Sequence, residues 1–311
     1  MNLEKISPYC SALSLEAGEP LVATASQVST YLLLEYNGSW GAKAFEESDL
    51  PEAVKVWASQ LVKSLPAAKL RLIKTTHLQR KAGFYFYVAA AVEASPALYA
   101  FVLESYDALL HLDIPAVLAG VPQYASYRQT EPLLLVCTNG HRDRCCALHG
   151  ISVYNALCRK VADESAPLVW QSTHAGGHRF AANLTCLPHG LLYGRVDAAA
   201  GLKILQTYRR GQVYLPNLRG RTCYTAPVQA ADYFLRQQTE ETALDAYRFL
   251  QVQETQPRQW KVCFESTHDG RVHVLEIGAE LMDKPVYDSC WLDKTIFPTR
   301  YYLVNNPVVN K

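Results

Sequence analysis

Two short apolar runs, separated by a helical pattern, constrain the fold of the middle of the chain more than any other feature. The runs are PLLLVC at 132–137 and PLVWQST at 167–173, and between them apolar residues recur at helical spacing over 146–161. This order predicts a β-α-β unit. A right-handed crossover makes its two strands parallel, so both end at the same edge of one sheet. Ligands collect at that edge in α/β folds.

The residues after this unit predict two further strands and a helix. The strand candidates are 182–188 and 190–196, with a tight turn at His189 and Gly190, and a helical pattern covers 197–211. The combined order, β-α-β-β-β-α, is that of a thioredoxin-like layer in which helices cover a mixed sheet. We therefore expect an α/β fold with a thioredoxin-like layer.

The chain on either side of this layer predicts an N-terminal α/β unit and a C-terminal extension. At 311 residues the chain is long enough for two domains, which we expect at 1–128 and 129–311, joined by the turn-rich residues 116–131. The extension is expected to be a helix at 227–250 and a β-hairpin with an Asp-Gly turn. The elements expected outside the layer are strands at 29–36, 69–75, 84–92 and 97–105, a helix at 50–65, and hairpin strands at 259–266 and 271–278.

Composition and charge exclude several classes of protein. Hydrophobic residues make up 49% of the chain and charged residues 19%, which is typical of a folded protein rather than a disordered one. The net charge of +1 gives no field that would attract nucleic acid or an anionic membrane surface, so we expect neither partner. The sequence begins without the apolar core of a secretory signal and has no membrane-spanning run, so we expect a cytoplasmic protein.

The nine cysteines do not predict a disulfide framework. Their number is odd and no secretory signal accompanies them, so we expect reduced thiols, some of which could bind a cofactor. Most of them lie among apolar or mixed neighbours, where a buried structural thiol is the default interpretation. The cysteines interpreted in this way are Cys10, Cys158, Cys186, Cys223, Cys263 and Cys290.

Two segments at the predicted sheet edge carry metal-binding residue types. CTNGHRDRCC puts Cys137 at the end of a strand and Cys146 at the start of the next helix, where the helix dipole favours the metal-binding thiolate. THAGGHRFAAN puts His174 and His178 directly after the parallel strand. Two sulfurs and two imidazoles suit tetrahedral zinc, but zinc knuckles usually place their cysteines two to four residues apart. The wider spacing here better matches the larger iron-sulfur rhomb.

These two segments also resemble the motifs of the sucrase/ferredoxin-like family. In that family, Cys, a short Gly-containing loop, Arg-Asp and Cys precede His-x-Gly-Gly-His-[RK]-Phe-Ala-x-Asn, and the second motif is close to complete here. The resemblance implies that 129–311 contains a thioredoxin-like ferredoxin domain. It also implies a [2Fe-2S] cluster, for which Cys137, Cys146, His174 and His178 would be the ligands.

Several neighbours of these ligands are candidates for supporting roles. Cys145 departs from the family pattern and is an alternative to Cys146, which keeps the spacing from Arg-Asp to Cys. Gly176 and Gly177 would let the loop double back, and Arg179 would offset negative charge. The arginines of YRRGQ and NLRGRT are interpreted first as a solvated face and second as a surface for an acidic redox partner. The remaining supporting candidates are Arg142, Asp143 and Asn183.

The sequence favours an electron carrier over an enzyme. The expected function is one-electron, proton-coupled transfer between donor and acceptor proteins that the sequence does not identify. The alternatives are a thioredoxin-like thiol-disulfide enzyme, which would need thiols without the usual Cys-x-x-Cys motif, and a zinc-stabilised interaction module. Sucrose hydrolysis would need a pair of catalytic carboxylates, and no recognisable motif contains one.

Overall fold

A nine-stranded mixed sheet is the main feature of the computed structural model, which describes residues 9–76, 82–162, 167–291 and 294–304. The strands lie in the order β4-β3-β1-β2-β6-β5-β7-β8-β9. They are β1 (Thr30–Glu35), β2 (Ala68–Lys74), β3 (Phe84–Ala90), β4 (Ala97–Leu103), β5 (Leu133–Cys137), β6 (Val169–Ser172), β7 (Leu184–Leu187), β8 (Leu191–Tyr193) and β9 (Leu218–Arg221).

The N-terminal half of the sheet confirms the predicted strands and helix. β1 is parallel to β2 and antiparallel to β3, which pairs with β4. The short helix α1 (Cys10–Glu16) precedes them. Helix α2 (Glu52–Ser64) buries Val54 against the apolar side chains of these strands, and the short helix α3 (Ile114–Leu118) adds Ile114 and Val117 to the same core.

The middle of the chain confirms the predicted β-α-β-β-β-α order. Helix α4 (Arg144–Lys160) connects β5 to β6, and the two strands are parallel. β7 and β8 form the predicted antiparallel pair, and helix α5 (Ala198–Arg209) follows them. A core cluster that includes Val136, Leu157 and Ile204 joins both helices to these strands, because one apolar face of each helix is buried against the sheet.

The two halves of the sheet meet where β2 pairs with β6. Only Ile73 with Ser172 and Lys74 with Gln171 are in register there. The Thr173 N–H donates to the Leu72 carbonyl at 2.9 Å, and the Leu72 N–H donates to Thr173 Oγ1 at 3.1 Å. The sheet therefore crosses the expected boundary between residues 128 and 129, and the division into two domains remains a prediction.

The C-terminal extension is a helix followed by a second sheet. Helix α6 (Ala226–Thr239) is shorter than the predicted 227–250, because Glu240 adopts a left-handed conformation and ends it. The predicted continuation instead begins a strand at Tyr247, which is stabilised by pairing with the confirmed hairpin. The sheet order is β10-β11-β12-β15, and β13 pairs with β14. The strands are β10 (Tyr247–Gln256), β11 (Gln259–Ser266), β12 (Val272–Leu281), β13 (Val286–Tyr287), β14 (Thr295–Ile296) and β15 (Thr299–Leu303).

Among the helices formed by the described residues, none combines the length and the apolar character needed to span a lipid bilayer.

Candidate metal centre

The ends of β5 and β6 bring cysteine and histidine side chains together. Cys137 is the last residue of β5, Cys146 lies in the first turn of α4, and His174 and His178 follow β6. Ligand atoms of Cys137, Cys146 and His174 lie within 4.8 Å of one another. Those of Cys146, His178 and Asp143 form a second, overlapping group at the same limit. The parallel strands thus position two thiols and two imidazoles at one edge of the sheet.

The two thiols are buried and act as a coupled pair. The Cys137 N–H donates to the Asn183 carbonyl at 3.1 Å, which fixes the end of β5. The neighbouring Cys146 thiol is the main cause that lowers the pKa of Cys137, and the Cys146 pKa is raised in return. His174 and the Ala175 N–H also stabilise the Cys137 thiolate. Each thiol thus shifts the pKa of the other, downward at Cys137 and upward at Cys146.

The two imidazoles stack on each other beside these thiols. Their ring centroids lie 4.1 Å apart with an interplanar angle of 24°. Burial, followed by the charge of His174, lowers the pKa of His178 to about 4, so His178 is neutral at pH 7 and able to bind metal. Within the described part of the chain, the buried Nδ1 atoms of both rings have no hydrogen-bond partner. Burying such a nitrogen atom costs free energy unless it forms a hydrogen bond or binds a metal.

The loop between the histidines requires both of its glycines. Gly176 and Gly177 have φ angles of 91° and 72°, which favour residues without a Cβ atom. A Cβ on Gly177 would also lie 2.7 Å from Arg219 Nη2 and 2.9 Å from Phe180 Cδ2. The loop therefore turns through left-handed conformations at both glycines, and Gly177 packs tightly against an arginine.

The Arg219 side chain holds this loop in place through hydrogen bonds. It is 2% exposed, and its Nη1 donates to the Gly176 carbonyl at 2.8 Å and to Asn183 Oδ1 at 2.7 Å. Asn183 in turn donates from Nδ2 to the Gly177 carbonyl at 2.9 Å. Burial lowers the pKa of Arg219 to about 9, which leaves it charged at neutral pH.

The interpretation of the arginines of NLRGRT as a solvated face is wrong. Arg219 and Arg221 are buried, whereas Arg209 and Arg210 of YRRGQ are exposed. Arg219 and Arg221 lie two residues apart in β9, but the pairing of β9 with β8 shifts register at Arg219, so strand alternation does not identify them as a pair. Their burial follows from the acceptors that tertiary structure supplies, including the Leu244 carbonyl for Arg221.

Asp143 and Cys145 lie at the N-terminal end of α4. Asp143 is the N-cap, with Oδ1 accepting from the Cys145 N–H at 2.9 Å and Oδ2 accepting from the Cys290 N–H at 2.8 Å. Cys145 contacts Cys10 and Cys290, whereas Cys146 contacts Cys137. Adjacent helical residues point about 100° apart, so the two neighbouring thiols face different surroundings.

Arg142 and Arg179 lie at the periphery of the site. Arg142 is exposed, and its backbone N–H donates to Asn139 Oδ1 at 3.3 Å. The Arg179 guanidinium pairs with Glu19 at 2.8 Å and with Asp288 at 3.0 Å. The charge of Arg179 is thus balanced by two carboxylates.

A cleft of about 710 Å³ opens beside His174. Four basic residues, Lys43, Lys63, Lys69 and Arg142, line it together with the single acidic residue Glu46. Burial, followed by the charges of Arg71 and Arg142, lowers the pKa of Lys69. The cleft therefore connects the histidine side of the site to solvent through a basic surface.

Comparison with known proteins identifies one family. The family model described as sucrase/ferredoxin-like matches residues 21–220, close to two thirds of the chain, and this range includes the four converging side chains. No curated protein matches the chain. Together with the geometry, the match indicates a group of cysteine, histidine and aspartate donors able to bind a metal.

Proposed function

The chain belongs to the sucrase/ferredoxin-like family, and on that premise we propose that Cys137, Cys146, His174 and His178 bind a [2Fe-2S] cluster in a one-electron carrier. The observation that carries this proposal is the convergence of two thiols and two imidazoles at the ends of β5 and β6. Neither pair has another evident task, since the thiols are buried and the histidine Nδ1 atoms lack partners among the described residues.

The donor set fits a two-iron cluster in number and arrangement. The Cys137–Cys146 loop supplies both sulfurs and the His174–His178 loop supplies both nitrogens, so each iron can receive a pair of ligands. The lowered pKa values of Cys137 and His178 favour the deprotonated forms that metals need, whereas Cys146, whose pKa is raised, has to release its proton on binding. The glycine loop and Arg219 hold the histidine pair in place.

When bound, the cluster supplies a one-electron redox couple. Two neutral imidazoles add no negative charge, so this ligand set favours reduction more than four thiolates would. The buried guanidinium of Arg219 acts in the same direction, because it brings a positive charge to within one hydrogen bond of the ligand loop. We therefore expect a reduction potential above that of an all-cysteine site in the same fold.

The histidines also make the redox reaction depend on protons. Each imidazole that binds metal through one nitrogen retains a second nitrogen that can hold a proton. His174 lines the cleft and can exchange that proton with solvent, whereas His178 is 6% exposed. Reduction raises the proton affinity of such a nitrogen, so the potential falls as the pH rises.

The basic cleft is the proposed contact surface for a redox partner. Its lysines and Arg142 surround the most accessible of the four proposed ligands, His174. An acidic surface on the donor or acceptor would complement this charge and speed association at low ionic strength.

A visible spectrum and a metal analysis of anaerobically purified protein test the proposal. We expect iron-sulfur absorption and two irons per chain, and Cys137→Ser should abolish both, whereas Cys263→Ser should retain them. Colourless protein with zinc at these four residues would support the interaction module instead. Colourless protein without metal but with a fast-reacting thiol would support the thiol-disulfide enzyme.

The ligand assignment has its own test. Replacing His174 or His178 by Cys should lower the reduction potential and weaken its pH dependence, because a thiolate adds negative charge and carries no exchangeable ring proton. His141→Cys, in the exposed part of the cysteine loop, is the matched control and should change neither. An intact cluster with an unchanged potential in both variants would rule out these histidines as ligands.

A further inference from the structure

A second group of sulfur atoms lies on the opposite side of Asp143. The Sγ atoms of Cys10, Cys145 and Cys290 form a triangle with sides of 3.7 Å for Cys10–Cys145, 3.2 Å for Cys145–Cys290 and 3.5 Å for Cys290–Cys10. None of the three residues is more than 2% exposed. We call this group the sulfur triad.

The triad joins three distant parts of the chain. Cys10 begins α1, Cys145 lies in the first turn of α4, and Cys290 follows β13. Cys10 and Cys290 are 280 residues apart in the sequence, and both lie outside the residues matched by the family model. No local turn or repeat can bring them together, so their meeting depends on the packing of the two chain ends against α4.

The surroundings of the triad position it closely. Asp143 accepts the backbone N–H groups of Cys145 and Cys290, and its two oxygens each lie 3.8 Å from Cys10 Sγ. Ser11 Oγ lies 3.1 Å from Cys145 Sγ and 3.2 Å from His149 Nε2. Three thiols and a carboxylate thus surround one small buried volume, and the partly buried His149 lies beyond Ser11.

We propose that Cys10, Cys145 and Cys290 bind a Zn²⁺ ion that ties both ends of the chain to α4. Thiolates on a tetrahedral zinc at about 2.3 Å lie about 3.8 Å apart, so the triad needs to open by only a few tenths of an ångström. Binding releases the thiol protons, and the Asp143 carboxylate, which lies within 4.8 Å of all three sulfurs, offers the fourth ligand. A disulfide between Cys145 and Cys290 would leave Cys10 unexplained, whereas one metal uses all three sulfurs.

Zinc and iron analysis of the full chain, purified anaerobically without chelator, separates this site from the proposed cluster. We expect about one zinc per chain, a loss of at least about tenfold in Cys290→Ser, and retention in Cys137→Ser. Iron should behave in the opposite way in these two variants. Cys263→Ser, which replaces a buried cysteine of β11, should retain both metals.

X-ray absorption at the zinc edge tests the unaltered protein, so a variant that folds poorly does not decide the outcome. The expected first shell contains three sulfurs at about 2.3 Å. A shell of nitrogen and oxygen alone, zinc that persists in Cys290→Ser or disappears in Cys137→Ser, or no zinc uptake from added Zn²⁺ would each overturn the proposal. A Cys145–Cys290 disulfide in the anaerobic protein would overturn it as well.

Discussion

The two sulfur groups on either side of Asp143 differ in composition and in access to solvent. The group around Cys137 and Cys146 includes two histidines and reaches the basic cleft through His174. Among the described residues, the group formed by the sulfur triad and Asp143 includes no histidine, and its side chains are buried. An open site with nitrogen ligands suits electron and proton exchange, whereas a closed site of three sulfurs suits structural zinc. The first turn of α4 supplies one thiol to each group, Cys145 to the triad and Cys146 to the group with the histidines.

The two groups also differ in how the chain assembles them. The first depends on two loops of a single β-α-β unit, 137–146 and 174–178, which the parallel strands bring together. The triad depends on α1 and on the segment after β13, which lie near opposite ends of the described chain. Changes in the glycine loop should therefore affect the first group selectively, and changes at Asp143 should affect both.

The largest expected effect is that of Arg219→Met, which targets the first group alone. The substitution leaves the Gly176 carbonyl and Asn183 Oδ1 buried without their donor, so we expect a loss of about 4 kcal/mol in the free energy of unfolding. Urea titration measures the loss. The matched control is Arg209→Met on the surface of α5, which should change stability by less than about 0.5 kcal/mol. Equal effects of the two variants would contradict the buried role of Arg219.

The next effect separates backbone strain from packing in the histidine loop. Gly177 and Gly211 share a φ of 72°, but a Cβ on Gly211 would meet nothing within 4 Å. Gly211→Ala should therefore cost only the strain, about 1 kcal/mol, whereas Gly177→Ala should cost about 3 kcal/mol because it also collides with Arg219 and Phe180. The free energies of unfolding of the two variants test this difference. Equal losses would show that the Arg219 and Phe180 side chains move away from the new Cβ atom at little cost.

A smaller effect is expected from Asp143→Asn, which touches both groups. An amide can accept only one of the two N–H groups that the carboxylate binds, so we expect a loss of about 2 kcal/mol. Asp197→Asn is the control, since Asp197 caps α5 by accepting only the Ala200 N–H and asparagine caps equally well. Peptide-level alkylation should show faster labelling of both Cys145 and Cys146 in Asp143→Asn. Faster labelling of Cys145 alone would mean that Asp143 supports only the triad.

Local patterns predicted the layer and the first group because their determinants are close in sequence. Apolar periodicity gave β5, α4 and β6, and the parallel direction of the strands followed from handedness. The same logic placed Cys137 and His174 at one edge, where their ligand atoms lie. The predicted helix 227–250 was too long because Tyr247 pairs with Ser266 in the neighbouring strand. A pairing between residues so far apart in sequence does not change the local pattern of apolar residues.

The triad and Arg219 could not be predicted in the same way. Cys10 and Cys290 each look like isolated thiols, because their meeting depends on contacts across 280 residues. Arg219 looks like a surface cation, because its acceptors Gly176 and Asn183 come from another loop. In both cases the sequence specifies the residue type, and tertiary packing alone determines its partners.

The smallest expected effect is that of replacing His189, which belongs to neither group. Its titration shows how far acid lowers the free energy of unfolding independently of the two groups. Burial, then the charge of Arg221, lowers the pKa of His189 to about 4, and its Nδ1 lies 2.7 Å from the Tyr208 hydroxyl. Between its ordinary pKa of about 6.5 and a pH of about 4, His189 is protonated in the unfolded chain and neutral in the folded chain. The free energy of unfolding therefore decreases as the pH is lowered through this range.

His189→Asn keeps an acceptor near the Tyr208 hydroxyl and removes this titration. Between pH 7 and pH 5 the wild type should lose about 1 kcal/mol more than the variant, since partial exposure of the ring reduces the full linkage effect. Urea titrations at the two pH values measure the difference. Identical acid sensitivity in both proteins would show that His189 is not its source.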